Sequence, residues 1–303
     1  MDAKRVRLAL VSMSWTAATR SRYEAWLDKF ASWHGSKPDV LVEPDEDEVA
    51  DFLVELYLGG KGGQAGMARA ALGAYWPQLS KSEPLSRLVA GIDAQWRLQG
   101  GGRVQRDALP KKALQQFIAA QPLSLSRFEW LRDRFLALLS VRTMRRPAEL
   151  LQLYREDVRW DAQEDNLLVR FVKSKNDRLG KHGKRFWLPI DRSDTAGLCV
   201  SEVANAYFRA RGSAPGPLWQ RLDGSAVTKD HLNALAKFIG ARSGVEGLFR
   251  GYSFRIAGAT YAAEAGMTTA EIQAIGGWRS EAVHTYIRAT GSAAGGASAR
   301  MGL

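Results

Sequence analysis

With 303 residues, 46% of them hydrophobic, the chain can bury more than one core, and its length predicts two domains. A formal charge of +11 and a sequence pI near 9.9 suit a polyanionic partner, because Lys and Arg displace the counterions condensed on a nucleic-acid backbone. A lone cysteine, Cys199, excludes an internal disulfide framework; no apolar run reaches the ~18 residues of a membrane span, and the chain's start shows no small-residue cleavage site, so a cytoplasmic (nucleoid) or nuclear protein is expected.

The first hundred residues read as helices. Residues 16–33 carry Tyr23, Trp26, Leu27, Phe30 and Trp33 at helical spacing, a stripe that serves packing, with Arg20, Arg22 and Lys29 between them. Asp45, Glu46, Asp47 and Glu48 follow Pro44 as a capping box, its carboxylates at the positive end of a helix whose inward face is Val49, Phe52, Leu53 and Leu56. The run Gly59-Gly60-Lys61-Gly62-Gly63 lacks the spacing of a phosphate loop and follows a helix instead of a strand, so it reads as a turn. Further helices are predicted over 64–76 and 85–99, the second with an apolar face of Leu88, Ile92 and Trp96.

The triplet Gly100-Gly101-Gly102 and the basic residues after it predict a first domain over 1–102, a linker over 103–108 and a second domain over 109–303. A helix begins near Pro110 and runs through Phe117. Residues 128–153 are again helical, interrupted at Arg145-Arg146-Pro147; proline is tolerated in a first turn, which puts Arg146 at a helix start. Residues 167–172 and 185–190 read as two strands flanking a turn-rich loop with Gly180 and Gly183. From Lys173 to Arg185 there are six Lys or Arg and one acid, Asp177, a hairpin basic enough to call for an anionic partner. Cys199 lies in an apolar stretch and reads as a core thiol.

The stretch 251–288 carries the most chemistry. Ser253-Phe254-Arg255 opens an Ala-rich helix running through Ala263, Gly276-Gly277-Trp278 follows, and Thr285-Tyr286-Ile287-Arg288 closes a helical run. His34, His182, His231 and His284 are scattered, with no Cys or second His at ligand spacing, so no metal and no cofactor are expected. The Ala-, Gly- and Ser-rich residues 289–303 read as a flexible end.

Taken in order, R-x-x-E-L at 146–150, the basic hairpin, S-F-R, G-G-W and the late tyrosine make the C-terminal half resemble the tyrosine recombinase (phage integrase) family, which includes Cre-type enzymes, over about residues 109–288. The N-terminal helices resemble that family's core-binding domain more weakly. The resemblance implies a mainly α fold with a small antiparallel β-sheet, arranged as a two-domain clamp on duplex DNA. It implies a site-specific recombinase that cuts and rejoins DNA through a 3′-phosphotyrosyl intermediate and a Holliday junction, as a homotetramer on paired sites. The alternatives are strand relaxation of the type IB topoisomerase kind, or a DNA-binding relative with reduced or lost catalysis.

Phosphoryl transfer builds charge on the nonbridging oxygens, and preorganised guanidiniums stabilise it because their planar fork donates two bonds and stays charged. On the family pattern these are Arg146 and Arg255. Glu149, one turn past Arg146, either orients a site residue or is an ordinary first-turn acid. Arg145 reads as a surface or backbone-phosphate contact. Lys175 is the candidate proton donor to the departing 5′ oxygen, with Lys173 its runner-up, and Arg178, Lys181, Lys184, Arg20 and Arg22 are candidate DNA contacts. Tyr252 stands where the family usually has histidine; a phenol can donate to a phosphate oxygen but is a poor proton acceptor near neutrality. Trp278 stands where relatives carry His or Trp, as an N–H donor or as packing. Tyr286 is the proposed nucleophile, against a packing tyrosine beside Val283 and Ile287, with Tyr261 as its rival. His284, two residues from Tyr286, would point away from it in a helix.

Overall fold

The computed structural model describes residues 12–36, 43–102, 105–120, 126–161, 163, 166–172, 187–190 and 198–288. The chain divides into two compact units, Met1–Val104 and Gln105–Leu303, each with its own apolar core.

In the first unit, α1 (Ala17–His34) starts where the Thr16 hydroxyl accepts from the Thr19 amide, and it stops at Gly35, whose φ of 74° ends the helical path. Its aromatic stripe is core: Trp26 and Phe30 pack on Phe52 of α2 (Glu46–Leu56), Phe30 and Phe52 edge to face at 5.2 Å. Both halves of the Asp45/Glu48 capping box are formed. The glycine run turns the chain in steps: a wide turn over Tyr57–Lys61 with Gly60 at φ 71°, then a tight one over Gly62–Gln64. Helices α3 (Ala65–Tyr75), α4 (Pro77–Lys81) and α5 (Glu83–Leu98) follow, the last capped by the Ser82 hydroxyl.

The second unit is mainly α with a three-stranded antiparallel sheet in the order β1-β2-β3. Helix α6 (Lys111–Ala119) leads to α7 (Arg127–Thr143), which is sheathed along most of its length; Phe135, Leu136 and Leu139 are fully buried. The short α8 (Pro147–Leu151) precedes β1 (Val158–Asp161), β2 (Asn166–Arg170) and β3 (Trp187–Ile190). Val169 of β2 pairs with Val158 and Leu188, so alternate residues of the three strands face the core. The sequence reading contained two strands, and β1 is an addition to it. In V-R-W-D only Val158 is deeply buried, so no alternation of apolar residues marks the strand. Residues 173–186, which include the hairpin loop, lie outside the described residues.

Helices α9 (Val200–Arg211), α10 (Lys229–Ala241), α11 (Gly251–Glu264) and α12 (Thr269–Gly276) complete the unit. Cys199 is buried, and its thiol lies 2.9 Å from the Ser201 hydroxyl. Trp219 is 1% exposed, and its indole N–H donates to the Leu150 carbonyl at 2.7 Å, fixing the end of α8 to the core. Among the described residues no helix is long and apolar enough to cross a membrane.

Candidate active site

The site is built where the chain reversal after α7 meets the one after α12. The first follows α7: Met144 adopts φ 50°, a left-handed conformation rare for a side chain of this kind, and turns the chain into Arg145-Arg146-Pro147. Arg146 sits at the N-cap of α8 with Pro147 in the first helical position. Its Nη1 donates to Oε1 of Glu149 at 2.8 Å, while the Arg146 amide donates to Oε2 at 3.4 Å. The buried Glu149 therefore both caps the helix and holds the arginine side chain.

Arg255 lies in the second turn of α11, 1% exposed. Its Nη1 donates to the carbonyls of Met144 and of Gly276, the latter at 2.7 Å, and so ties the first reversal to the end of α12. Its guanidinium lies 3.5 Å from the centroid of the Trp278 ring and 5.0 Å from that of Tyr286. Trp278 and Tyr286 meet edge to face at 5.2 Å. This fold-back needs the glycine pair before Trp278. A β-carbon at Gly276 would overlap the Trp278 ring, and one at Gly277, which has φ 68°, would overlap the Arg145 guanidinium.

Of the two sequence expectations for Arg145, a surface residue or a backbone-phosphate contact, the first does not describe its packing. Arg145 is half-buried, seated against Gly277, with its guanidinium 4.8 Å over the Phe171 ring. The planar, weakly hydrated guanidinium tolerates such stacking, which hydropathy patterns do not register. Burial pushes its pKa down, opposed by the Glu149 carboxylate. Arg255 is pushed down to about 10, first by burial and then by Arg146, while Tyr286 and Glu149 pull it back up. It stays charged at neutral pH.

Single unmet buried donors also occur at Arg69, Trp76 and Arg155, but Arg255 has two and differs in this from the other fully buried arginine. The chain's other fully buried arginine in the described core, Arg132, spends Nε on Asp133 at 2.8 Å, Nη1 on the Gln220 carbonyl at 3.0 Å and Nη2 on His231 at 3.2 Å. In contrast Nε and Nη2 of Arg255, Nε1 of Trp278 and Nε of Arg145 are buried with no hydrogen-bond partner among the described residues. Each buried unmet donor costs about 1–3 kcal/mol. Four such donors on three neighbouring cationic or N–H-bearing side chains are what an anion with several acceptor oxygens satisfies.

Tyr286 follows a single 3₁₀ turn, Glu281–Thr285, and not the longer helical run expected from the sequence. Val283 is fully buried in a small cluster with Met144, Ile272 and Trp278, on which Tyr286 and Ile287 pack while staying half-exposed. Tyr261 is elsewhere: its hydroxyl donates to the Leu109 carbonyl, and burial pushes its pKa up. Tyr252 lies one turn before Arg255, its ring 5.0 Å from the Arg106 guanidinium. His284 pairs with Glu281 at 2.7 Å. Lys173, Lys175, Arg178, Lys181 and Lys184 lie outside the described residues. In the first unit Arg22 is exposed, and Arg20 is half-buried with its Nε donating to the Ser12 carbonyl at 3.1 Å.

Residues 108–291, more than half of the chain, match the Phage integrase family. No curated protein matches the sequence. Among solved structures, a Tn1549 transposon integrase in complex with transposon right end DNA superposes with a TM-score of 0.65 at 12% identity, covering 98% of this chain and 99% of that one. A lambda integrase dimer bound to a COC′ core site gives 0.61 at 17% identity, covering 94% and 75%. The XerH site-specific recombinase bound to its difH substrate, in a pre-cleavage complex, gives 0.58 at 17% identity, covering 88% and 73%. At such identities the likeness is one of fold, here a mainly helical architecture with a small antiparallel sheet. The sequence match over its C-terminal two-thirds and this shared fold together make the chain a member of the phage integrase family, the tyrosine recombinases.

Proposed function

We propose that the protein is a site-specific DNA recombinase that cuts and rejoins duplex DNA through a tyrosyl ester. The observation that supports this most is the set of unmet buried donors on Arg255 and Trp278 beside the Tyr286 ring. In this reading Arg146 and Arg255 hold the nonbridging oxygens of the scissile phosphate, Trp278 adds an N–H, and Glu149 orients Arg146. The Tyr286 oxygen attacks phosphorus, the bond to the 5′ oxygen breaks, and Lys175 protonates that oxygen as it leaves. The phenolic proton passes to water or to a phosphate oxygen, since Tyr252 replaces the usual imidazole. The reverse step, attack by a 5′ hydroxyl on the phosphotyrosine, expels Tyr286 and reseals the strand without an external energy source.

The first domain, 1–102, would serve as the core-binding module, joined by a linker over 103–108 to a catalytic domain over 109–303. Arg145, Lys173, Arg178, Lys181, Lys184, Arg20 and Arg22 would neutralise backbone phosphates. Four protomers on two paired sites would exchange strands through a Holliday junction; relatives of the same fold have been seen on a core site, on a transposon end and on a difH site. Tyr252 in place of histidine favours, as second reading, a relative with weakened cleavage.

The test is a trapping assay. A duplex selected for binding from a randomised library is nicked at successive positions, so that the short cleaved fragment diffuses away. The wild-type chain accumulates a covalent adduct and Tyr286→Phe does not. An adduct with Tyr286→Phe removes the assignment of the nucleophile, and no adduct with the wild type favours the non-cleaving relative. Relaxation of a supercoiled plasmid lacking the selected site would favour the topoisomerase activity instead.

A further inference from the structure

Glu281–Thr285 is a short 3₁₀ segment, and Tyr286 closes it with an amide bond to the Val283 carbonyl at 2.9 Å. The burial of Val283 and local bonds from Ser280 and Thr285 hold the turn itself, while the residues after it, Tyr286 to Arg288, are held from other parts of the chain. The Thr260 hydroxyl accepts from the Arg288 amide at 3.2 Å and donates to the Tyr286 carbonyl at 3.5 Å. The Arg288 side chain reaches back, Nη1 to the Thr285 carbonyl at 2.6 Å and Nη2 to the Arg106 carbonyl at 3.3 Å. The carbonyls of Thr285 and Tyr286 and the amide of Arg288 are thus all engaged by Thr260 and Arg288.

Thr260 is 3% exposed, between Ala259 and the alanines of the last turns of α11, where a valine would fill the same space. A hydroxyl inside a helix commonly bonds the carbonyl four residues back, as Ser140 does to Leu136 at 2.6 Å and Thr143 to Leu139 at 2.8 Å. The Thr260 bonds instead run to partners 26 and 28 residues away. They also run from the helix that carries Arg255, about 7.5 Å further along its axis at 1.5 Å per residue.

We propose that Thr260, assisted by Arg288, is a positioning residue for the strand-cleavage step: its hydroxyl ties the main chain of Tyr286 to the helix bearing Arg255, so that nucleophile and phosphate clamp keep one geometry. The inference rests on Tyr286 being the nucleophile. A displacement of about 1 Å in such a geometry costs on the order of 10²-fold in rate. Thr260→Val keeps the shape and removes both bonds; Thr260→Ser keeps the hydroxyl.

The experiment measures the single-turnover rate constant for adduct formation on the selected nicked duplex, together with its binding by gel shift. Thr260→Val slows cleavage about 10- to 100-fold, with affinity changed less than about 2-fold, because affinity is spread over many phosphate contacts. Thr260→Ser stays within about 3-fold of wild type, and adding Arg288→Ala to Thr260→Val slows it far less than the product of the single effects, since both act on one segment. A purely structural role would lower the fraction of active protein, hence the amplitude, and leave the rate constant unchanged. Wild-type rate in Thr260→Val, or equal slowing in Thr260→Ser, overturns the proposal. Adduct formation by Tyr286→Phe overturns the nucleophile assignment itself, so the two failures are told apart.

Discussion

Glu149→Gln separates the two duties of this carboxylate. It receives Arg146 at 2.8 Å, and its charge also favours the cationic forms of Arg145 and Arg255. Glutamine keeps the shape and one acceptor oxygen but leaves three guanidiniums without that countercharge. Removing one partner of a fully buried ion pair costs about 3–5 kcal/mol, while an exposed pair contributes less than about 1 kcal/mol. The Glu149 side chain is 5% exposed, but that of Arg146 is 23% exposed and partly screened by water. An intermediate loss of about 2 kcal/mol follows, which in a unit of roughly 200 residues lowers Tm by about 4–8 °C. Calorimetry at neutral pH in low salt, with and without sulfate, reads it. Sulfate restores negative charge to the cluster, so it raises the Tm of the variant more than that of the wild type. Cleavage nevertheless falls by about 10²-fold, because Arg146 has lost its orienting partner. An unchanged Tm together with an equal response to sulfate refutes the view that Glu149 holds and neutralises a guanidinium cluster.

Trp278→Phe retains an aromatic face for Arg255 and removes the indole N–H; if that N–H meets the phosphate in the transition state, single-turnover cleavage drops about 10- to 100-fold, and a change below about 3-fold assigns the residue to packing alone. Gly276→Ala pushes the Trp278 ring off its seat, so cleavage falls by at least about 10-fold while gel-shift affinity stays within about 2-fold; unchanged cleavage would show that the ring has room to adjust.

Much of the fold could be read because its signals are local. The aromatic stripe of α1, the Asp45/Glu48 box and the proline after Arg146 each announce an element through chemistry within a few residues. Strand β1 could not, since its burial is one-sided over four residues and depends on β2 beside it. The R-x-x-E-L register singled out Arg146 and Glu149 as a pair one turn apart, and the ion pair is local too. The Arg255–Trp278 stack, the seat of Arg145 on Gly277 and the left-handed Met144 join segments far apart in the chain, and no spacing rule relates them. Thr260 carried no signal, because a threonine in an Ala-rich helix looks like filler until its distant partners are known. Tyr286 stood out by motif, whereas the 3₁₀ turn before it is set by the burial of Val283.

The most direct measurement is to digest the trapped protein–DNA adduct and locate the nucleotide by mass spectrometry. A phosphorylated nucleoside on the peptide containing Tyr286, linked through the phenolic oxygen to a 3′ phosphate, is the predicted result. The same mass on a peptide containing Tyr252 or Tyr261, or linkage to a 5′ phosphate, would contradict it.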